Sequence, residues 1–297
     1  MTRRGWWLFV GLSLIWGIPY LLIKVAVREL TPASLVFLRT SIGAALLLPV
    51  AIGRGNLRAL LPRWRPVVLF TVVELAVPWL LLSDAERRVS SSLAGLMVAS
   101  VPLVGALLAR LSGGHEALGR RRLAGLAVGL GGVVALLGLD IGRGDAFAVA
   151  ELALVVIGYA LGPLVVSRGL ADLPTLDVVA ASLGLCALVY APVGLAQLPS
   201  AMPAPSVIGA VLGLGVLCTA VAFLLFFRLI AEIGPLRATV ITYVNPAVAV
   251  AAGVALLGEP LTAGTSAGFV LILAGSWLAT GSARPVSPAP GRPAREG

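Results

Sequence analysis

Two oppositely charged residues lie where a chain this apolar should carry none. Glu74 sits inside Val72-Val-Glu-Leu-Ala-Val-Pro78, roughly eight residues from either end of an apolar block, and Arg39 stands about seven residues inside the block before it. An ionised carboxylate surrounded by hydrocarbon costs a few kcal/mol even on insertion scales, so Glu74 is expected to face protein or water. Three chemistries suit it. It could carry a proton, since protonation removes the costly charge; it could be the counter-charge for a cationic group of a solute; or it could form a structural pair with Arg39. Arg39 in turn could snorkel to the outer interface, pair with Glu74, or bind an anionic group such as a carboxylate. A pair that closes an empty site can open to take up a zwitterion.

A second polar group stands in the ninth apolar block, where Thr242, Tyr243 and Asn245 directly precede Pro246. Pro19, Pro78, Pro102 and Pro163 also fall inside apolar blocks, and each proline removes a backbone donor and frees a carbonyl one turn back. In lipid such groups survive only where protein or water meets them, so these five prolines are candidate hinge or cavity-lining positions, with a packed kink as the alternative. Trp16, Trp79, Tyr159 and Tyr243 could flank a solute by stacking. Trp6, Trp7, Trp64 and Trp277 lie near block ends and are expected to be interface anchors. The candidate binding residues are therefore Trp16, Arg39, Glu74, Tyr159, Tyr243 and Asn245.

The elements that must position these residues follow from composition. Of 297 residues, 59% are hydrophobic and 12% charged, too few polar side chains to cover a soluble domain of this size. The apolar residues fall in ten blocks at 5–25, 32–52, 66–84, 90–110, 122–139, 147–167, 176–197, 206–228, 237–257 and 264–281. Each approaches the ~20 residues that span a bilayer core. The expected fold is an all-α membrane protein of ten transmembrane helices with short loops. The opening Met1-Thr-Arg-Arg resembles a secretory signal, but its apolar run continues for about 20 residues without a small-x-small cleavage site, so it is expected to be the first helix. The Pro-, Ala- and Arg-rich stretch 284–297 is expected to be disordered.

The net charge of +9 would suggest nucleic acid in a soluble protein. Here the basic residues sit in the loops, about sixteen on the side of both termini and five, Lys24, Arg28, Arg87, Arg88 and Arg143, on the other. That asymmetry predicts cytoplasmic termini in a cell (plasma) membrane, and no nucleic-acid partner. Cys186 and Cys218 lie in apolar blocks as small packing residues, and the single histidine, His115, makes no metal site. Glu151 is near a helix start, where a carboxylate costs little, and Glu259 in its short loop is expected to cap a helix. Gly125 with Gly129, and Gly209 with Gly213, are spaced for close helix contact.

The two halves resemble each other. Ser91-Ser-Leu-Ala-Gly-Leu-Met-Val-Ala-Ser-Val-Pro102 lies over Pro235-Leu-Arg-Ala-Thr-Val-Ile-Thr-Tyr-Val-Asn-Pro246, and His115-Glu-Ala-Leu118 over Gly258-Glu-Pro-Leu261, at an offset of about 142–144 residues. A repeat of five helices is odd, so the second copy must enter the membrane inverted, which gives two halves able to open to opposite sides. The expected units are 1–140 and 141–283. Trp16-Gly17, Phe37-Leu-Arg39, the Ser-rich start of the proline-centred fourth block, and Gly258-Glu-Pro260 in this order resemble the EamA family of the drug/metabolite transporter superfamily. The resemblance covers nearly the whole chain in two copies. It implies an inner-membrane carrier with a central site for a small metabolite, an amino acid or related compound, usually exported, driven by a proton gradient or exchange and needing no cofactor. Departures are Ala181 where a second Arg39 would stand, Gly158-Tyr159 in place of a second Trp-Gly pair, and Glu74, which lies outside the general pattern of that family. No phosphate-binding loop occurs. The alternatives are a membrane-embedded enzyme, disfavoured by a lone loop histidine and by no aspartate expected within the membrane, and a non-transporting membrane subunit. Oligomeric state has no signature in this sequence.

Overall fold

The computed structural model describes residues 2–54, 57–111, 120–140, 146–233 and 241–280. The segment 284–297, the His115 loop and Arg143 lie outside the described residues. Among the described residues, ten helical segments follow one another: α1 (Arg3–Ala26), α2 (Pro32–Gly53), α3 (Leu57–Ala85), α4 (Ser91–Leu108), α5 (Arg120–Asp140), α6 (Ala146–Gly169), α7 (Thr175–Ala196), α8 (Pro205–Glu232), α9 (Ile241–Leu257) and α10 (Ala263–Thr280). No strand occurs among the described residues. Seven of these helices, α1–α4 and α6–α8, are long and apolar enough to cross a membrane, whereas α5, α9 and α10 carry shorter apolar stretches.

Local sequence sets the ends. Thr31 caps α2, its hydroxyl accepting from the Ser34 amide at 3.3 Å, with Pro32 as the first helical residue. Ser90 caps α4 in the same way at 3.2 Å. One boundary differs from the sequence expectation. The third helix was expected at 66–84, yet helical structure begins at Leu57 with a tight 3₁₀ stretch, Leu57–Arg63, containing Pro62. Two prolines, Pro62 and Pro66, argue against an α-helical start; the short 3₁₀ stretch accommodates Pro62 before the α-helix begins at Trp64.

The helices are apolar on every side. Leu35, Leu47, Leu96, Leu152, Leu183 and Leu214 are fully buried, while Leu46, Ile52, Leu130, Leu154 and Leu188 are exposed on outer faces. In water that surface would be an aggregation-prone patch; against lipid it is the expected one. Trp6, Trp7, Trp64 and Trp277 are more than half exposed, which suits the anchor role.

The broadest helix contacts join α2 to α7 and α5 to α10. Close packing of the latter pair comes from glycine: a Cβ added at Gly275 would strike the backbone of Gly129 and Gly125. The paired spacing thus holds for Gly125 and Gly129. Gly213 meets Leu22, whereas Gly209 faces nothing within 4 Å. Helix α1 packs on α9 and α8, and α6 packs on α4 and α3. Exchanging the first five helices for the last five maps this contact pattern onto itself.

Two widened turns share that correspondence. In α3, Thr71–Ala76 is π-helical, with the Val77 amide reaching back five residues to the Val72 carbonyl. In α8, Gly213–Val221 is π-helical, and the Ala222 amide reaches the Leu217 carbonyl. Such bulges shift side chains around the helix and loosen carbonyls, a form common at functional sites. Chain breaks fall at Ile18 before Pro19 and at Ala99–Ser100 before Pro102. Pro163 and Pro246 stay inside continuous helices, as do Pro49 and Pro192.

Candidate functional site

The α3 bulge turns Glu74 toward α6. One carboxylate oxygen, Oε2, is covered and has no hydrogen-bond partner. A Cβ added at Gly162 would land on this carboxylate, so glycine there is what admits it. One turn earlier on α6, a Cβ at Gly158 would lie 2.5 Å from the Val73 carbonyl and 2.8 Å from the Pro78 ring. Pro78 has no amide to offer, so the bulge and the proline together leave backbone acceptors of α3 against a helix face without side chains. Tyr190 of α7 supplies one donor, its hydroxyl bonding the Ala76 carbonyl at 3.0 Å.

Arg39 is buried on α2 and does not snorkel, being only 7% exposed. Its Nε donates to Thr219 Oγ1 at 3.1 Å, on the α8 bulge, and its guanidinium stacks on Trp79 at 3.6 Å from the ring centre. Thr219 in turn donates to the Leu214 carbonyl at 2.8 Å, across five residues of the widened turn. No ion pair joins Arg39 to Glu74 among the described residues, and Arg39 has no carboxylate partner there. Among the described residues no hydrogen bond or ion pair engages its terminal nitrogens. Tyr159 of α6 packs against both the buried group that holds Trp79 and the one that holds Tyr20 of α1. Arg39, Trp79, Tyr159 and Tyr20 thus form one polar, aromatic cluster, and Glu74 lies against Gly162, about one turn along α6 from Tyr159.

The other sequence candidates go elsewhere. Trp16 packs edge-on to Phe223 and against Phe226, and its Nε1 donates to the Cys218 carbonyl at 3.3 Å, tying α1 to the α8 bulge. Asn245, with its amide nitrogen turned to the acceptors around it, donates to the Ser13 carbonyl at 3.2 Å and to Ile241 at 2.9 Å. It ties α9 to α1. The backbone of Tyr243 is in α9, but its side chain lies outside the described residues. Pro78 borders the cluster, Pro163 adjoins Gly162, and Pro19 begins the α1 half that carries Tyr20. Cys186 and Cys218 are free and buried.

A second polar group lies at one end of the helices. Lys24 donates to the Glu86 carbonyl at 2.6 Å and to the Val89 carbonyl at 2.7 Å. Glu259 accepts from the amides of Ser91 at 2.7 Å and Ser92 at 3.0 Å and from the Ser92 hydroxyl at 2.5 Å. It is a cap, as its position suggested, but of α4 rather than of the helix that follows it. Burial alone would push its carboxyl up; the bonds from Ser92 and Ser91 outweigh this and hold it below the usual carboxylate range. Arg88 joins Asp84 at 2.8 Å and also bonds Glu151, so Glu151, given no role from sequence, fastens the start of α6 to the α3–α4 turn. At the opposite end, Thr2 bonds Glu232 and Arg63 bonds Asp172 at 3.1 Å.

The Glu259 cap yields a prediction. A carboxyl held low stabilises the fold above its ordinary range, near 4.3, and loses that contribution as the pH falls through its depressed value. Glu259→Gln should cost about 0.5–2 kcal/mol of stability at neutral pH, the usual worth of a helix cap. Thermal unfolding of the detergent-solubilised protein at pH 7 and pH 4 checks this: the variant's deficit should shrink at the lower pH.

Two buried acids escaped the sequence reading. Glu86 is fully buried with neither carboxylate oxygen bonded, and Asp177 at the start of α7 is the same. Asp177 lies within a membrane-length helix, which corrects the expectation of no such aspartate. Each stands next to charges or turn residues and so resembled a loop residue. Leu82, Ala85, Glu86 and Val89, all buried, lie on one helical face, and that periodicity was the available signal for Glu86.

Residues 3–138 and 146–281 each match the EamA-like transporter family. The chain is 30% identical over 262 residues to the inner membrane transporter YedA of Escherichia coli, itself uncharacterised, covering 85% of this chain and 82% of that one. It is 26% identical over 281 residues to an uncharacterised transporter of Archaeoglobus fulgidus, covering 92% and 97%. A crystal structure of 22% identity, covering 94% of this chain and 98% of its own, superposes with a TM-score of 0.65 and shares the fold.

Proposed function

From the premise that this chain belongs to the EamA-like transporter family, we propose that it is a ten-span secondary carrier exporting a small metabolite, an amino acid or a similar zwitterion. The observation that carries this reading is Arg39, a buried cation with no carboxylate partner among the described residues, its guanidinium stacked on Trp79 and its Nε bonded to Thr219. Holding a desolvated guanidinium without a counter-ion is costly, and a solute carboxylate repays it with a two-point fork. Glu74, held against Gly162 with one oxygen unbonded among the described residues, is the counter-charge for an ammonium group.

Alternating access would come from units 1–140 and 141–283 as inverted copies. The self-mapping contact pattern and the paired bulges in α3 and α8 support that division. The arginine asymmetry favours cytoplasmic termini, with the Lys24 end outside, in the inner membrane. A metabolite profile of the medium from cells with and without the gene tests substrate and direction together. Export predicts a solute with a carboxylate enriched outside only when the gene is present; depletion of such a solute from the medium would reverse the direction, and no difference under any nutrient load would refute the reading.

A further inference from the structure

We propose that Glu86, at the Lys24 end, is a proton-binding site of the carrier, and that its protonation holds that end shut. The inference rests on the carrier reading but on different residues. Glu86 is fully buried, and neither carboxylate oxygen has a hydrogen-bond partner among the described residues. Lys24 bonds the Glu86 and Val89 backbone carbonyls and not the Glu86 carboxylate. Glu259 is already engaged on the α4 amides, and its charge opposes ionisation of Glu86. The titratable groups whose ionised forms interact with Glu86 are Tyr20 and Lys24 of α1, Arg39 of α2, Tyr159 of α6, and Glu259 of the α9–α10 loop. Arg28 lies beside Lys24. Asp84, Arg88 and Glu151, close by in sequence or space, satisfy one another, and Arg87 reaches Asp84 at 3.5 Å.

An ionised carboxylate without donors in such a place is far costlier than a neutral acid. Burial accordingly pushes the Glu86 carboxyl well above the usual range, Lys24 opposing and Glu259 reinforcing the rise. The closed end therefore keeps a proton on one Glu86 oxygen. When the end opens, water reaches the carboxylate, the O–H bond breaks, and the proton leaves to water as the anion is hydrated. No other reactant is needed. The charge of Arg39 favours ionisation of Glu86, so a solute carboxylate that neutralises Arg39 biases the same step.

The sign follows from linkage. The closed state binds more protons than the open one, so closure loses stability as the pH rises above the ordinary glutamate range and the loss levels off once the closed-state carboxyl ionises. Full-length protein in liposomes, with Cys186→Ala and Cys218→Ala and a reporter Val89→Cys, is labelled with a membrane-impermeant maleimide across pH, after correction for thiolate fraction. Labelling should rise up to about tenfold per pH unit through that window, should lose this dependence in Glu86→Gln, and should shift to higher pH in Lys24→Met. Infrared difference spectra of pH steps on the parent protein should show a protonated-carboxyl band lost in Glu86→Gln and kept in Glu74→Gln and Asp177→Asn. An unchanged band and an unchanged labelling profile in Glu86→Gln overturn the proposal. If Glu86 titrates as stated and no solute is exchanged, the carrier reading fails and the proton site stands; if solute is exchanged and Glu86→Gln titrates like the parent, the reverse holds.

Discussion

Arg39→Ala is expected to raise the KM for solute so far that transport of trace solute is lost, and to leave a folded, membrane-inserted protein. The substitution removes the group that meets the solute's carboxylate and takes with it the stack on Trp79 and the bond to Thr219. Losing one partner of a buried, hydrogen-bonded charge pair costs about 2–5 kcal/mol, roughly thirty- to several-thousand-fold in affinity. Folding should not suffer equally, because Arg39 has no carboxylate partner among the described residues, and its removal also removes a desolvation cost. Thr219 keeps its own bond to the Leu214 carbonyl. Arg39→Lys should fall between, keeping the charge and losing the fork and the stack. Uptake or efflux rates against solute concentration, with thermal unfolding of the same preparations, separate the two effects: KM should rise steeply while Tm stays within a few degrees.

Glu74→Gln is expected to change what the carrier accepts more than whether it works. The amide keeps the volume that Gly162 accommodates and removes the charge. A bond to a charged group is worth about 1.5–3 kcal/mol, so affinity for a zwitterion should fall roughly ten- to over a hundredfold. Affinity for the deaminated analogue, which has the carboxylate alone, should hold or improve. Competition of labelled solute by each analogue in wild type and variant measures this. Gly162→Ala should mimic the defect, since its methyl would occupy the carboxylate's place. Equal weakening for both analogues would assign Glu74 a structural role.

The helical, membrane-embedded class was legible because hydropathy sums over twenty residues and tolerates local error. The two copies were legible because a proline and, after it, a glutamate before a leucine recur at an offset of about 142–144 residues. Arg39 and Glu74 stood out against an apolar background, and both lie at or beside the central cluster. What sequence could not give is how a helix turns. The bulge at Thr71–Ala76 rotates Glu74 onto α6, and no residue type announces a π turn there. The same turn in α8 brings Thr219 to Arg39, so Thr219 was missed. Trp16 and Asn245 were legible as polar or aromatic residues at depth, but their hydrogen bonds go to neighbouring helices, a use that spacing alone does not distinguish from solute contact. Glu86 was hidden by its neighbours, since a carboxylate beside Arg87 and Arg88 looks exposed until the helical face of Leu82 and Val89 is traced.

The central claim, a saturable carrier whose solute meets Arg39, is tested most directly by counterflow. Liposomes holding the purified protein are loaded with the unlabelled solute identified from the medium and diluted into a trace of the same solute, labelled. The account predicts a transient accumulation of label above its equilibrium level in wild type and none in Arg39→Ala. Label that merely equilibrates in wild type, or overshoots equally in both proteins, would contradict it.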